Sequence, residues 1–272
     1  MRHLSWKVGT KVFLLFLSAV FAFPFLWMVF ATFKSNLEIF TPFPIFPSSI
    51  HIRFYQELLS GQWIPFLTQF WNSLKISTLQ TLGALLLSVP TGYIFAQYTF
   101  RLKWFFLFLI ILSLLIPQQV MVLPLFTWLN TLHLLDTSWS VIFPGVLSGL
   151  GVLYFMQVFK QLPPSLLDTC RVEGISEYKI LWHLLPLIKP ALWTYTLIHF
   201  IFAWHEHLLP LVMLSTLENL TVTVSLSSLI GSARIPYAMV MVGGLFTLLP
   251  TILLYLILQR DFKSALQDLT SP

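Results

Sequence analysis

Six long apolar stretches alternate with shorter polar ones along the chain, at about residues 12–33, 76–100, 104–132, 137–159, 190–214 and 235–259. A helix needs roughly 20 apolar residues to cross the hydrocarbon of a bilayer. The pattern therefore predicts an all-α, polytopic membrane protein, a single domain over 1–272 with six transmembrane helices. Helices are the element expected here because lipid offers no partner to an unpaired backbone group. Pro24, Pro90, Pro117, Pro124, Pro144, Pro210 and Pro250 fall inside these stretches. Each removes one backbone hydrogen bond, so kinked spans are expected.

Two polar segments stand out between the spans. The first, 34–70, runs from the proline-rich "TPFPIFPSSI" into the amphipathic "FYQELLSGQWIPFL". It predicts an extended piece followed by a short interfacial helix, with Trp63 and Phe66 suited to the membrane surface. The second, 160–189, gathers Asp168, Arg171, Glu173, Glu177, Lys179 and Lys189 between Pro163, Pro164, Pro186 and Pro190. Ser165 and Asp168 have the capping-box spacing, and Gly174 stands where a helix would stop in a left-handed residue. A short helix is expected there, then a second one opened by Ser176 and Glu177 and running to Pro186. Pro190 opens the fifth span.

Composition sharpens this picture. Hydrophobic residues make up 57% of the chain and charged ones only 9%, with a mean hydropathy of +0.83. A soluble protein carries about 25% charged residues. The formal charge of +5 is then a matter of topology and not of nucleic-acid binding. With the N-terminus in the cytoplasm, only Lys34, Arg53, Lys75 and Arg234 of the fifteen Lys and Arg residues fall outside, as the positive-inside rule requires. The segment 160–189 is then cytoplasmic, and so is the C-terminus. The first apolar stretch exceeds the roughly 7–15 residues of a signal-peptide core, so it is read as a retained span. The single cysteine, Cys170, is expected to be a free thiol on the cytoplasmic loop.

The loop resembles the "EAA" loop of permease subunits of ATP-binding-cassette importers, whose pattern runs E-A-A-x-x-D-G-A with a proline about a dozen residues beyond the glycine. Asp168, Thr169, Cys170, Arg171, Val172, Glu173, Gly174 and Ile175 occupy those places here, and Pro186 matches the later proline. The leading Glu is replaced by Asp, both alanines by other residues, and the acid before the glycine by Glu173. "FPFLWMVFATFKSNLEIF", "IPQQVMVLPLF", the pair Asp136 and Thr137, "FAWHEHLLPLVML" and the terminal "QRDF" are similar to segments of carbohydrate-importer permeases of the maltose and glycerol-phosphate type. Two departures are His205, where the family usually has Asn, and the tail "SALQDLTSP" in place of a glycine-rich end.

The resemblance implies half of a translocation pathway in the bacterial inner membrane. It also implies a homologous second permease, a separate ATPase dimer, an extracytoplasmic solute-binding protein and a sugar substrate. ATPase contact is implied for residues 168–175 and for Tyr178, with Cys170 at the contact. No phosphate-cradling Gly-x-x-x-x-Gly-Lys-Ser/Thr motif occurs, so ATP and Mg belong to the partner ATPase and this chain is expected to need no cofactor and to catalyse nothing itself. His205, Glu206 and His207 lack the i, i+4 spacing of a two-histidine zinc site. Glu206 is instead a candidate pathway carboxylate. Trp204 is a candidate ring for stacking on a sugar, while Gln118 and Gln119 could hydrogen-bond hydroxyls at the Pro117 kink. The alternative is a stand-alone secondary transporter or channel for a small polar solute, which should show inverted repeats and paired intramembrane charges.

Overall fold

A computed structural model describes residues 2–41, 45–230 and 236–270, with side chains from residue 9 to 259 within those ranges. Arg234 lies outside the described residues. The described chain forms fourteen helices: α1 (Arg2–Ala31), α2 (Asn36–Ile39), α3 (Arg53–Leu59), α4 (Phe66–Gln97), α5 (Lys103–Leu115), α6 (Gln118–Thr131), α7 (Ser138–Val146), α8 (Gly149–Lys160), α9 (Pro164–Val172), α10 (Glu177–Leu184), α11 (Lys189–His205), α12 (Leu208–Met213), α13 (Val222–Ile230) and α14 (Tyr237–Thr270).

Four stretches are long and apolar enough to cross a membrane: Gly9–Ala31, Phe66–Gln97, Ser138–Lys160 and Tyr237–Gln259. The number rises to six if each of two bent helix pairs, α5 with α6 and α10 with α11, is one span.

Three expected spans need correction. The stretch 104–132 is two helices, α5 and α6, bent by 104°. Proline disfavours helical geometry in the residue before it, and Ile116 is extended with ψ 120° while Pro117 has ψ 135°. The stretch 190–214 breaks after His205, where Glu206 is extended with ψ 126°. Pro210 has no N–H to return to the Glu206 carbonyl, and that carbonyl accepts instead from the Thr223 hydroxyl at 3.2 Å. The second span starts at Phe66 and not near 76. Its polar first turns are paired with a distant loop: the Gln69 and Asn72 amides donate to the carbonyls of Leu217 and Glu218, and Ser73 accepts from the Val222 N–H.

The chain divides into two compact units, one of residues 1–67 and 225–249, the other of 68–224 and 250–272. In the first, the turn after α1 is stapled to α3: Tyr55 donates to Thr32 at 2.8 Å and stacks on Phe33. Glu57 is 8% exposed and is paired with Arg53, while the Trp63 indole donates to it at 3.4 Å. The short helix expected before the second span is α3, which ends ahead of Gly61 in the left-handed region (φ +75°). Trp63 is partly exposed as expected, but Phe66 is buried and packs on Phe246. Apolar side chains of α1 such as Phe13, Leu15 and Phe21 remain exposed, a surface suited to lipid.

The second unit holds a small buried cluster of Phe95, Leu107 and Met156 and two larger ones. Ile76, Val122, Leu129, Val141, Leu209 and Met213 draw together α4, α6, α7 and α12. Tyr93, Phe155, Phe159, Leu167, Ile180 and Tyr195 draw together α4, α8, α9, α10 and α11. Between α4 and α8 the backbones approach closely, as is usual where small residues line membrane helices. A Cβ on Gly92 would stand 2.6 Å from the Cβ of Phe155 and 2.8 Å from the Met156 nitrogen.

Candidate functional site: a stopped loop helix and two joined helix breaks

α9 begins at Pro164 with Pro163 as its N-cap. Proline suits this position because the first turn has no use for its missing N–H. Ser165 therefore lies inside the helix and does not cap it, a correction to the expected capping box. No side-chain cap is present.

The C-terminal stop is formed as expected. Gly174 has φ +73°, its N–H donates to Arg171 O at 3.0 Å, and the Ile175 N–H reaches back to Cys170 O at 3.0 Å. These two bonds make a Schellman motif, which satisfies carbonyls left over at the helix end.

One face of α9 is buried and the other is open. Leu167 is 2% exposed within the cluster of Phe159, Ile180 and Leu184, and Cys170 and Ile175 pack against the same cluster. Cys170 is thus half-buried on the inner face. Asp168, Thr169, Arg171, Val172, Glu173 and Gly174 lie exposed, as does Tyr178 at the start of α10. Val172 reaches 88% exposure and Tyr178 76%, high for apolar or aromatic side chains on a loop.

A charged cluster fastens this loop to α4. The Arg171 Nε donates to Glu177 Oε1 at 2.9 Å, and the Tyr93 hydroxyl donates to Glu177 Oε2 at 2.6 Å. The guanidinium also stands 5.9 Å from the centre of the Tyr98 ring and 3.8 Å from Asp168. Sequence reasoning missed Tyr93 and Tyr98 as partners. The available signal was a phenol within an apolar span, because a buried tyrosine hydroxyl usually finds a polar partner.

The second set of candidates meets where the two broken helices adjoin. Glu206 occupies the gap between α11 and α12. Its Oε1 accepts from the N–H groups of Leu208 and Leu209 at 2.9 and 3.1 Å, and its Oε2 accepts from the Gln118 amide at 2.9 Å. Gln118 is the first residue of α6, directly after the Pro117 break. Gln119 is exposed beside it. Trp204 is 1% exposed, stacked on Phe200 with an edge contact to Phe70, so its indole is covered by the chain's own rings in this conformation.

Asp136 was singled out by resemblance alone, and the structure gives it a physical task. It has φ +57°. Its carboxylate accepts from the Thr216 hydroxyl and from the N–H groups of Thr216 and Ser215, while its own N–H donates to Met213 O. The Thr216 bonds, with Ser215 and Asn219, lower its pKa to about 2. This one residue ties the turn before α7 to the loop after α12.

Residues 88–264 match the model of a family described as the binding-protein-dependent transport system inner membrane component. Over 265 residues the chain is 31% identical to the arabinooligosaccharides transport system permease protein AraQ of Bacillus subtilis, covering 96% of this chain and 94% of that protein. It is 30% identical over 241 residues to the lactose transport system permease protein LacG of Rhizobium radiobacter, covering 88% and 87% of the two. A chain from the crystal structure of a bacterial ABC transporter that imports the acidic polysaccharide alginate superimposes with a TM-score of 0.81, at 21% identity, over 94% of this chain and 95% of that one.

Proposed function

Because the chain belongs to the family of binding-protein-dependent transport system inner membrane components, we propose that it is one of two membrane subunits of an ATP-driven importer of a sugar or sugar derivative. The family membership sets aside the stand-alone transporter or channel. Relatives named for arabinooligosaccharide and lactose transport support the substrate class. The partners are a homologous permease, an ATPase dimer that holds ATP and Mg, and an extracytoplasmic solute-binding protein. The chain lies in the bacterial inner membrane with both termini in the cytoplasm.

The observation that carries the coupling role is the Schellman-stopped α9. It offers Asp168, Thr169, Val172 and Glu173 to a partner while Leu167 anchors its other face. Closure of the ATPase on nucleotide moves α9, and the movement shifts the spans between inward-open and outward-open states. Such coupling needs only that nucleotide bind one of the two states better than the other. Gln118, Gln119, Glu206 and Trp204 belong to the pathway, with Trp204 uncovered in another state of the cycle.

Gly174→Val tests this reading. A β-branched residue at positive φ costs on the order of 1–3 kcal/mol locally, and no heavy atom within 4 Å of the added Cβ confuses the result with a clash. The variant is expected to insert and purify as a folded subunit while binding-protein-stimulated ATP hydrolysis collapses. Normal stimulation in a Gly174→Val complex would remove the coupling role from this loop.

A further inference from the structure

We propose that Glu177 is the joint through which movement of α9 reaches α4, with Arg171 and Tyr93 as its two arms. The proposal rests on the coupling reading of α9 and names the route by which that helix acts on a span. Besides the contact of the Arg171 guanidinium with the Tyr98 ring, α9 meets the membrane-spanning part in two ways. One is the apolar seat of Leu167 among Phe159, Ile180 and Leu184. Such contacts are non-directional, so they keep α9 attached but resist sliding poorly. The other is the carboxylate of Glu177, which is held at 2.9 Å by the Arg171 Nε from α9 and at 2.6 Å by the Tyr93 hydroxyl from α4. Hydrogen bonds to an ionised group are short, strong and aimed, so a push or pull on Arg171 is delivered to Tyr93.

The position of Tyr93 makes that delivery effective. It lies three residues after Pro90, the proline inside α4. A helix bends most readily where proline interrupts its ladder, so force at Tyr93 acts on the short arm beyond the hinge. A recess of about 410 Å³ lined by Pro90, Tyr93, Ile94, Tyr98, Glu177 and Leu181, among others, lies alongside. It leaves room for the end of α4 and for α10 to change their separation without a steric block.

The test uses the whole importer, reconstituted with its second permease, ATPase and binding protein, in a Cys170→Ser background. Spin labels are placed at Thr99→Cys, just beyond α4, and at Lys160→Cys, at the end of α8, and their distance is measured before and after trapping with ATP and vanadate. The parent complex is expected to show a distance change. Tyr93→Phe, which removes only the hydroxyl, is expected to retain the ATPase on pull-down yet show less than half of that change. Glu177→Gln, whose one acceptor oxygen can serve Tyr93 while its NH₂ faces the donor Arg171, breaks one arm of the joint and is expected to lose most of the change. Glu177→Leu loses it, and the double variant with Tyr93→Phe is no worse than Glu177→Leu alone. A parent-like change in Tyr93→Phe would overturn the joint, and so would loss of the ATPase from that variant, which would make the cluster an assembly element. A parent complex that holds the ATPase but shows no change at Thr99 would sink the joint alone. A parent subunit that holds no ATPase would sink the coupling reading and the joint with it.

Discussion

Gln118 and Glu206 lie 88 positions apart, yet the amide of one donates to the carboxylate of the other at 2.9 Å, and each stands at the break of a different helix. The bond joins the start of α6 to the gap between α11 and α12. Two interruptions that hydropathy registers as separate features are therefore one polar node.

Replacing Glu206 separates its structural task from its charge. Glutamine can still accept from Leu208 and Leu209, and the Gln118 amide can turn its oxygen toward the new NH₂ group. Glu206→Gln should therefore assemble normally, with uptake reduced several-fold in vesicles, whereas Glu206→Ala should also lose roughly 0.5–2 kcal/mol of cap energy. Uptake assays paired with thermal unfolding in detergent distinguish the two. Wild-type uptake by Glu206→Gln would leave this carboxylate a cap and nothing more.

Asp136 should make its loop sensitive to acid in a narrow window. Its folded pKa, about 2, lies below the ordinary value of 3.8, so its contribution is fully present above pH ~4 and is lost as pH falls toward ~2. Protection of the Ser215 and Thr216 amides from hydrogen exchange, corrected for intrinsic rates, should stay level at neutral pH and fall within that window. Asp136→Asn should show the lowered protection at all pH values.

Gly92→Ala should destabilise the subunit although alanine is the better helix former. The new methyl would meet Phe155 and the Met156 backbone at under 3 Å, and backbone cannot yield as a flexible side chain does. Overpacking of this kind costs about 1–3 kcal/mol, which exceeds the ~1 kcal/mol propensity gain. A lower unfolding temperature than the parent's is expected, and an unchanged or higher one would show that α4 and α8 can part without cost.

Thiol labelling should map the two faces of α9. Cys170 is half-buried on the inner face, so maleimide should reach it slowly both in the isolated subunit and in the complex. Val172→Cys in a Cys170→Ser background should label quickly alone and slowly once the ATPase is bound. Equal rates for Val172→Cys in the two states would place the ATPase contact elsewhere.

The spans were legible in the sequence because a long apolar run has few other uses, and the stop at Gly174 was legible because glycine is the usual left-handed residue at a helix end. Direction was not. Pro117 announces a kink, but an angle of 104° depends on what holds α6 afterwards. The early start of α4 was hidden because Gln69, Asn72 and Ser73 read as loop residues until their partners near Leu217 to Val222 are known. Trp204 and Cys170 were placed on the right segments, but the face each presents follows from neighbours far away in the chain, such as Phe70 for the indole and, for the thiol, the cluster that includes Tyr93.

The paired breaks also bear on the order of events at the ribosome. α5 and α6, with 13 and 14 residues, are each about 20 Å long, short of the ~30 Å hydrocarbon thickness. While residues 103–131 are leaving the translocon, Glu206 has not been synthesised, and Gln118 has nothing to hold. The break at Pro117 is local and can form at once, but nothing yet fixes its direction. The tie to Glu206 is added only when the fifth apolar segment enters, so the final setting of the third segment's bend waits on the fifth.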